Sequence, residues 1–358
     1  AVNGSSPPSA RLGKSPFLRA QFGRTGALAL LATHGRWPGG TSTGTSAAML
    51  QGACGDALGS VPAARWTAEA YDTSSLSDIQ MEAMQHGGFV AGAQRFDHVA
   101  FAISPAEAAA MDPQQRLLLE LGYASLHGAA HRRATLRESE CSTFLGMERP
   151  DWAFAQPPAA RSSVYVVTGD NGSVAAGRIA FVLGLHGQCA TVDTACASSL
   201  SALHIAALAV KLESNTEGAM AAGSASDALS LAVGLKLEPL FTLAASAAGM
   251  LSADGRCKSL DTRANGYVRA EGIGTLVLRP RSEQSFNAAV VHSAVLAGSA
   301  AKQDGRSASL TAPNGAAQRS LLLAALVHAR LTVMEVSHME LHGTGTDLGD
   351  PTEAGALA

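Results

Sequence analysis

From residue 27 onward, short apolar and β-branched runs alternate with stretches of helical periodicity, and this alternation narrows the available folds more than any other feature. Ala27–Ala32 and residues 163–168, 179–185, 188–195, 274–279, 288–296 and 333–341 have the length and composition of strands. Residues 112–126, 173–178, the stretch from Ser198 onward and 316–330 have those of helices. In the first, Asp112 stands at an N-cap position, Pro113 at the favoured first helical position, and Leu117, Leu118, Leu121 and Leu126 follow at rough helical spacing. After Ser198, Leu200, Leu203, Ala207 and Val210 form one apolar stripe. The pattern predicts an α/β fold with a largely parallel sheet covered on both faces. Apolar residues at 47% and charged residues at 15% can fill such a core, and 37 glycines with abundant alanine permit close approach between layers. Domains run about 100–200 residues, so 358 residues allow one large domain or two.

Several function classes fall away on composition. A net charge of −3 gives no basic surplus for nucleic acid. Apolar runs such as 319–327 fall short of the roughly 20 residues a membrane span needs, so none is expected. The five cysteines are odd in number and widely spaced without a CxxC pair, against a disulfide framework or a zinc site. Reduced thiols in an intracellular compartment, cytoplasm or plastid or other organelle, are the expectation. Residues 1–50 contain no Asp or Glu but include Arg11, Lys14, Arg19, Arg24 and Arg36. Residues 1–26 read as a disordered tail or linker, or as the remnant of a transit peptide.

Val192–Leu200 reads as a strand, a tight turn of small residues and then a helix. Such a turn presents Cys196 as a nucleophile at a helix start, where the thiol pKa falls and the backbone N–H of Cys196 faces a developing oxyanion. A lone cysteine beside Ala and Ser is also a common small core residue. The segment 340–346 ends a strand on His342, followed by Gly343, Thr344, Gly345 and Thr346. A histidine at the carboxyl end of a strand, with a permissive loop after it, projects into the crevice where α/β sheets bind ligands.

The run DTACASSL at 193–200 resembles the active-site motif of polyketide synthase ketosynthases. HGTGT with DLGDPTEA at 342–354 resembles the segment that carries their first catalytic histidine. WPGG at 37–40, VPAARW at 61–66, ISPAEAAAMDPQQRLLLE at 103–120, LSADGRCK at 251–258 and GYVRAEG at 266–272 follow the family in order, so the likeness covers roughly residues 27–357. This resemblance implies a thiolase-like five-layer α/β/α/β/α sandwich of two similar halves, the first at 27–280 and the start of the second at 281–358. It implies polyketide or fatty-acid chain elongation by decarboxylative Claisen condensation of groups carried on acyl carrier protein. Cys196 would take the acyl chain and His342 would assist decarboxylation and hold the enolate. Ala195, Ala197, Thr344 and Thr346 would support substrate and oxyanion. No metal or diffusible cofactor is implied, since substrates arrive on the carrier's phosphopantetheine arm. A homodimer formed through Tyr165–Leu200 is implied as well.

The family's second catalytic histidine and its glycine-rich oxyanion loop have no counterpart in these 358 residues. A polypeptide of these residues alone is therefore expected to accept an acyl group but to condense poorly. The alternative reading is a non-catalytic ketosynthase-like scaffold or structural component of a larger complex, with a partner chain covering an incomplete second half. Gln188, Ala197, Lys302 and Leu341 also depart from the family's usual residues, and Leu341 adds bulk that would tilt His342.

Overall fold

The computed structural model describes residues 26–67, 70–156, 161–214, 227–281 and 294–358. Eight strands fall in these stretches: β1 (Leu28–Arg36), β2 (Gly59–Ser60), β3 (His86–Gly87), β4 (Ser142–Met147), β5 (Cys189–Val192), β6 (Ala228–Gly234), β7 (Gly272–Pro280) and β8 (Ala294–Leu296). Six of them form one sheet in the order β5-β4-β6-β7-β1-β8, while β2 and β3 pair separately. The longer helices are α1 (Pro113–Gly128), α2 (Gly172–Leu183) and α3 (Ser198–Ser214), which cover the sheet, and α4 (Gly315–Ala329) and α5 (Gly349–Leu357), which pack on each other.

The expected α/β layering is present, but the sheet is mixed. The β4–β5 and β4–β6 pairings are parallel, joined by crossovers through α2 and α3. The β6–β7, β7–β1 and β1–β8 pairings are antiparallel. The long connection from β6 to β7 carries only a short helix, Leu240–Ala247, and turns the chain back. Each face of the sheet carries a buried apolar cluster. On one, α1 and α2 bury Leu117, Leu118, Leu121 and Ile179 against Leu145, Leu229, Leu231 and Val277. On the other, Ala202, Ala206, Ala207 and Val210 of α3 lie against Leu28, Phe144 and Leu278.

The strands expected at 163–168 and 179–185 are helical instead. Val166–Gly169 makes one turn, and Gly172–Leu183 is a single helix. Asn171 caps the start of α2 by accepting from the Ser173 N–H, and Gly184 ends it at φ 74°. Those two caps, with Ala175, Ala176, Ile179 and Leu183 forming a buried helical stripe, outweigh the β-branched residues in between. The strand expected at 333–341 is also absent. Val333–Glu335 is a single 3₁₀ turn, and residues 336–341 form no regular element and have no ladder partner among the described residues. Of the strand expected at 288–296, only Ala294–Leu296 lies within the described residues.

The stripe expected on α3 is revised too. Leu200 is exposed and Leu203 partly buried, while the helix buries alanines that let it settle close to the sheet. Ala195–Leu212 is long and apolar enough to cross a membrane by length and composition, which corrects the expectation that no segment qualifies. Its alanine face is packed on β4 and β6, as in a core helix.

Candidate active site

The nucleophile's position follows from the core beneath it. β5 delivers Asp193 and Thr194 to a 3₁₀ turn at Ala195–Ala197, which runs directly into α3. The turn is braced by three side-chain bonds. Asp193 Oδ1 accepts from the Ala195 N–H at 3.0 Å, and Ser198 Oγ accepts from the Thr194 N–H at 2.8 Å. Ser198 Oγ also donates to the Ala195 carbonyl at 2.7 Å. Ala195 occupies the left-handed region at φ 51°, so strain sits immediately before Cys196. Gly146 on β4 lies under the start of α3, where a Cβ would come 2.4 Å from the Ser198 carbonyl oxygen. Only glycine lets strand and helix approach this closely.

The histidine is placed by a different device. The loop 342–346 is tied by carboxylates from α5. Glu353 Oε1 accepts from the His342 N–H at 2.6 Å, and Oε2 accepts from the Gly343 N–H at 2.9 Å. The buried Asp350 bridges the Gly345 N–H at 3.0 Å and the Leu260 N–H at 2.7 Å. Ser259 Oγ donates to the Gly343 carbonyl, and the Gly266 N–H donates to the Gly345 carbonyl at 2.9 Å. Gly345 is at φ 74°, and a Cβ there would fall 2.6 Å from the Lys258 nitrogen.

These two constructions bring Cys196 and His342, far apart in sequence, near enough for the imidazole to act on the thiol. The hydrogen bond from His342 holds the Cys196 thiol below its ordinary value, and the charge of His342 and the backbone amide of Cys196 add to this. Burial and the Glu148 carboxylate oppose it. His342 is raised in turn by its bond with Cys196, with Glu353 and Asp350 adding and partial burial opposing. Together the shifts favour a thiolate–imidazolium pair, the reactive form of a cysteine nucleophile. Cys189 contrasts with it, since burial pushes that thiol up.

Of the other residues expected in the site, Ala195 and Ala197 belong to the elbow, where the Ala197 N–H is taken by the Thr194 carbonyl at 3.1 Å. Thr344 and Thr346 bond each other at 3.3 Å, and Thr346 Oγ1 accepts from the Gly349 N–H at 3.1 Å, so both brace the histidine loop. The half-buried Leu341 does not tilt His342 out of reach of Cys196. Gln188 has a use that proline would forfeit, because its N–H donates to Ser142 Oγ at 3.1 Å. The sequence did not single out Glu353 and Asp350 as the loop's anchors, although two acids three residues apart early in a helix were the available signal.

Beside the pair lies a cavity of about 420 Å³. Cys196, Trp37, Glu148, Lys236, Glu271 and Ile273 are among its lining residues.

The family model described as "Beta-ketoacyl synthase, N-terminal domain" matches residues 27–284, and the corresponding C-terminal domain model matches 293–358. The chain belongs to the β-ketoacyl synthase family. Among its relatives, the polyketide synthase GfsA of Streptomyces halstedii is 39% identical over 340 residues, covering 92% of this chain and 4% of that protein. The spectinabilin polyketide synthase system protein NorA' of Streptomyces orinoci is 41% identical over 332 residues, covering 92% and 9%. Two solved structures share the thiolase-like fold. The ketosynthase from module 6 of the bacillaene synthase of Bacillus subtilis has a TM-score of 0.75 at 32% identity, covering 92% of this chain and 53% of that one. The oxazolomycin ketosynthase domain of Streptomyces albus has a TM-score of 0.78 at 28% identity, covering 92% and 56%. The chain thus spans about half of these ketosynthase structures and a small part of the synthases. Of the family's five-layer sandwich, the described residues build the first sheet with its flanking helices, and α4 and α5 beyond it. These relatives are bacterial and give no support to an organelle reading of residues 1–26, of which 1–25 lie outside the described residues.

Proposed function

We propose that this β-ketoacyl synthase chain extends acyl chains in polyketide assembly, with Cys196 as the acyl carrier and His342 as its partner in the condensation. The observation that carries this reading is Cys196 on a strained strand-to-helix turn with His342 beside it. The Cys196 thiolate attacks the carbonyl of an incoming acyl thioester. A new C–S bond forms, the donor C–S bond breaks, and the donor sulfur leaves as a thiolate. An extender with a carboxylate α to its own thioester then loses CO₂. Its α-carbon, bearing the electron pair released by the departing CO₂, attacks the acyl carbonyl on Cys196. The C–C bond forms as the Cys196 C–S bond breaks and the thiolate returns. His342, raised toward its cationic form, hydrogen-bonds the extender's carbonyl oxygen where negative charge develops.

Both acyl groups would arrive on the phosphopantetheine arm of an acyl carrier protein, and the protein would work inside the cell. Pairing of two copies through Tyr165–Leu200 is supported by the exposure of Val167, Phe181 and Leu200 in that segment. The non-catalytic scaffold reading leaves a paired thiol and imidazole without a use. Intact-protein mass spectrometry after incubation with an acyl thioester tests the reading. Cys196 gains the acyl group ahead of Cys54, Cys141, Cys189 and Cys257, Cys196→Ala abolishes the gain, and His342→Ala in the full synthase abolishes β-ketoacyl product. Product formation undiminished by His342→Ala removes the role assigned to the histidine.

A further inference from the structure

The cavity beside Cys196 contains a charged donor that the chemistry above does not use. Lys236 is only 7% exposed and follows directly on β6, in the connection toward β7. A Cβ placed on Gly234, another lining residue, would lie 3.8 Å from the Lys236 ammonium nitrogen. Carboxylates surround this amine; each accepts other bonds, and Asp151 Oδ1 is buried without a hydrogen-bond partner among the described residues. Glu271 accepts from Arg65 Nε and Nη2, both at 2.8 Å, and from the Lys236 backbone N–H at 3.0 Å. Glu148 accepts from Arg269 Nη2 at 2.8 Å. Asp151 accepts from the backbone N–H groups of Leu237 at 2.9 Å and Glu238 at 3.1 Å. Among the described residues, the Lys236 ammonium itself makes no hydrogen bond or ion pair. Burial lowers its pKa, with Arg269 adding and Glu148, Asp151 and Glu271 opposing.

A largely buried donor with no protein acceptor gains from an occupant that offers one. The occupant shares the cavity with Cys196, whose other neighbours there include Trp37, Ala232, Val233 and Ile273, so it is largely apolar. A carbon chain bearing one hydroxyl or keto oxygen meets both conditions. We propose that Lys236 is a specificity-determining residue that donates a hydrogen bond to a hydroxyl or keto oxygen of the acyl group on Cys196. Oxygenated chains are then accepted ahead of saturated ones. This inference rests on the acyl-transfer reading of Cys196.

The full chain is tested with N-acetylcysteamine thioesters of hexanoate, 3-hydroxyhexanoate and 5-hydroxyhexanoate, with loading on Cys196 followed by mass spectrometry. One hydroxylated ester loads about tenfold faster than hexanoate, the scale of one hydrogen bond from a charged donor. Lys236→Met brings that ratio to about one, and Lys236→Gln, which keeps an N–H donor, retains part of it. Equal rates for all three esters in the unsubstituted chain overturn the proposal without recourse to any variant. So does an undiminished preference in Lys236→Met. Failure of every ester to load Cys196 overturns the acyl-transfer reading, and this proposal with it.

Discussion

The cysteine and the histidine of this ketosynthase are held by opposite means. Cys196 rides on a sheet buried on both faces, and β4 beneath the elbow is buried along its whole length. His342 rides on a region whose two helices leave Leu323, Val327 and Leu357 exposed, and it is fixed by carboxylates gripping backbone amides. Apolar packing is insensitive to charge and cooperative with the fold, whereas amide–carboxylate bonds are local. Damage to the first region should therefore disturb both folding and the nucleophile, while damage to the second should disturb the nucleophile's partner and leave the core standing.

The largest effect expected is from Phe144→Ala, which removes a fully buried ring between β4 and α3. Denaturant titration should show a loss of about 3–5 kcal/mol, and acyl loading should fall with the folded fraction. Gly146→Ala is more selective. Its new methyl meets the Ser198 carbonyl and shifts the elbow, so stability should drop by about 1–3 kcal/mol. Loading measured on the folded protein should slow by about 100-fold, the cost of an ångström-scale misplacement of a reacting group.

Glu353→Ala tests the other region. It frees the His342 and Gly343 amides, and the melting transition should move by no more than about 1–2 kcal/mol equivalent. Alkylation of Cys196 at neutral pH should nevertheless slow by roughly tenfold as the loop loses its hold on the imidazole. If Glu353→Ala unfolds the chain as Phe144→Ala does, the two regions are not held differently.

The same contrast governs how much could be read from the sequence. α1 was legible because its signals are local, with Asp112 accepting from the Gln114 N–H where an N-cap was expected. β4 and β6 were missed because strands buried on both faces carry no alternation, as Phe144 and Leu145 show by facing opposite layers. Residues 333–341 do alternate, but alternation is only half of a strand and no ladder partner meets them among the described residues. In the site, Cys196 and His342 stood out because turn chemistry and motif mark them. Glu353, Asp350 and Lys236 did not, since their place comes from contacts or a cavity that exist only in the folded chain.

The pairing itself is tested most directly by the pH dependence of Cys196 alkylation by iodoacetamide, in the unsubstituted chain and in His342→Ala. Only the thiolate reacts, so the rate falls as pH drops through the thiol's pKa. With His342 present that pKa lies below the ordinary cysteine value, and the rate persists toward neutral pH. His342→Ala should move the profile upward in pH, toward the ordinary value, and each unit of movement should slow the reaction near pH 7 about tenfold. Superimposable profiles for the two proteins would contradict the pairing of Cys196 with His342.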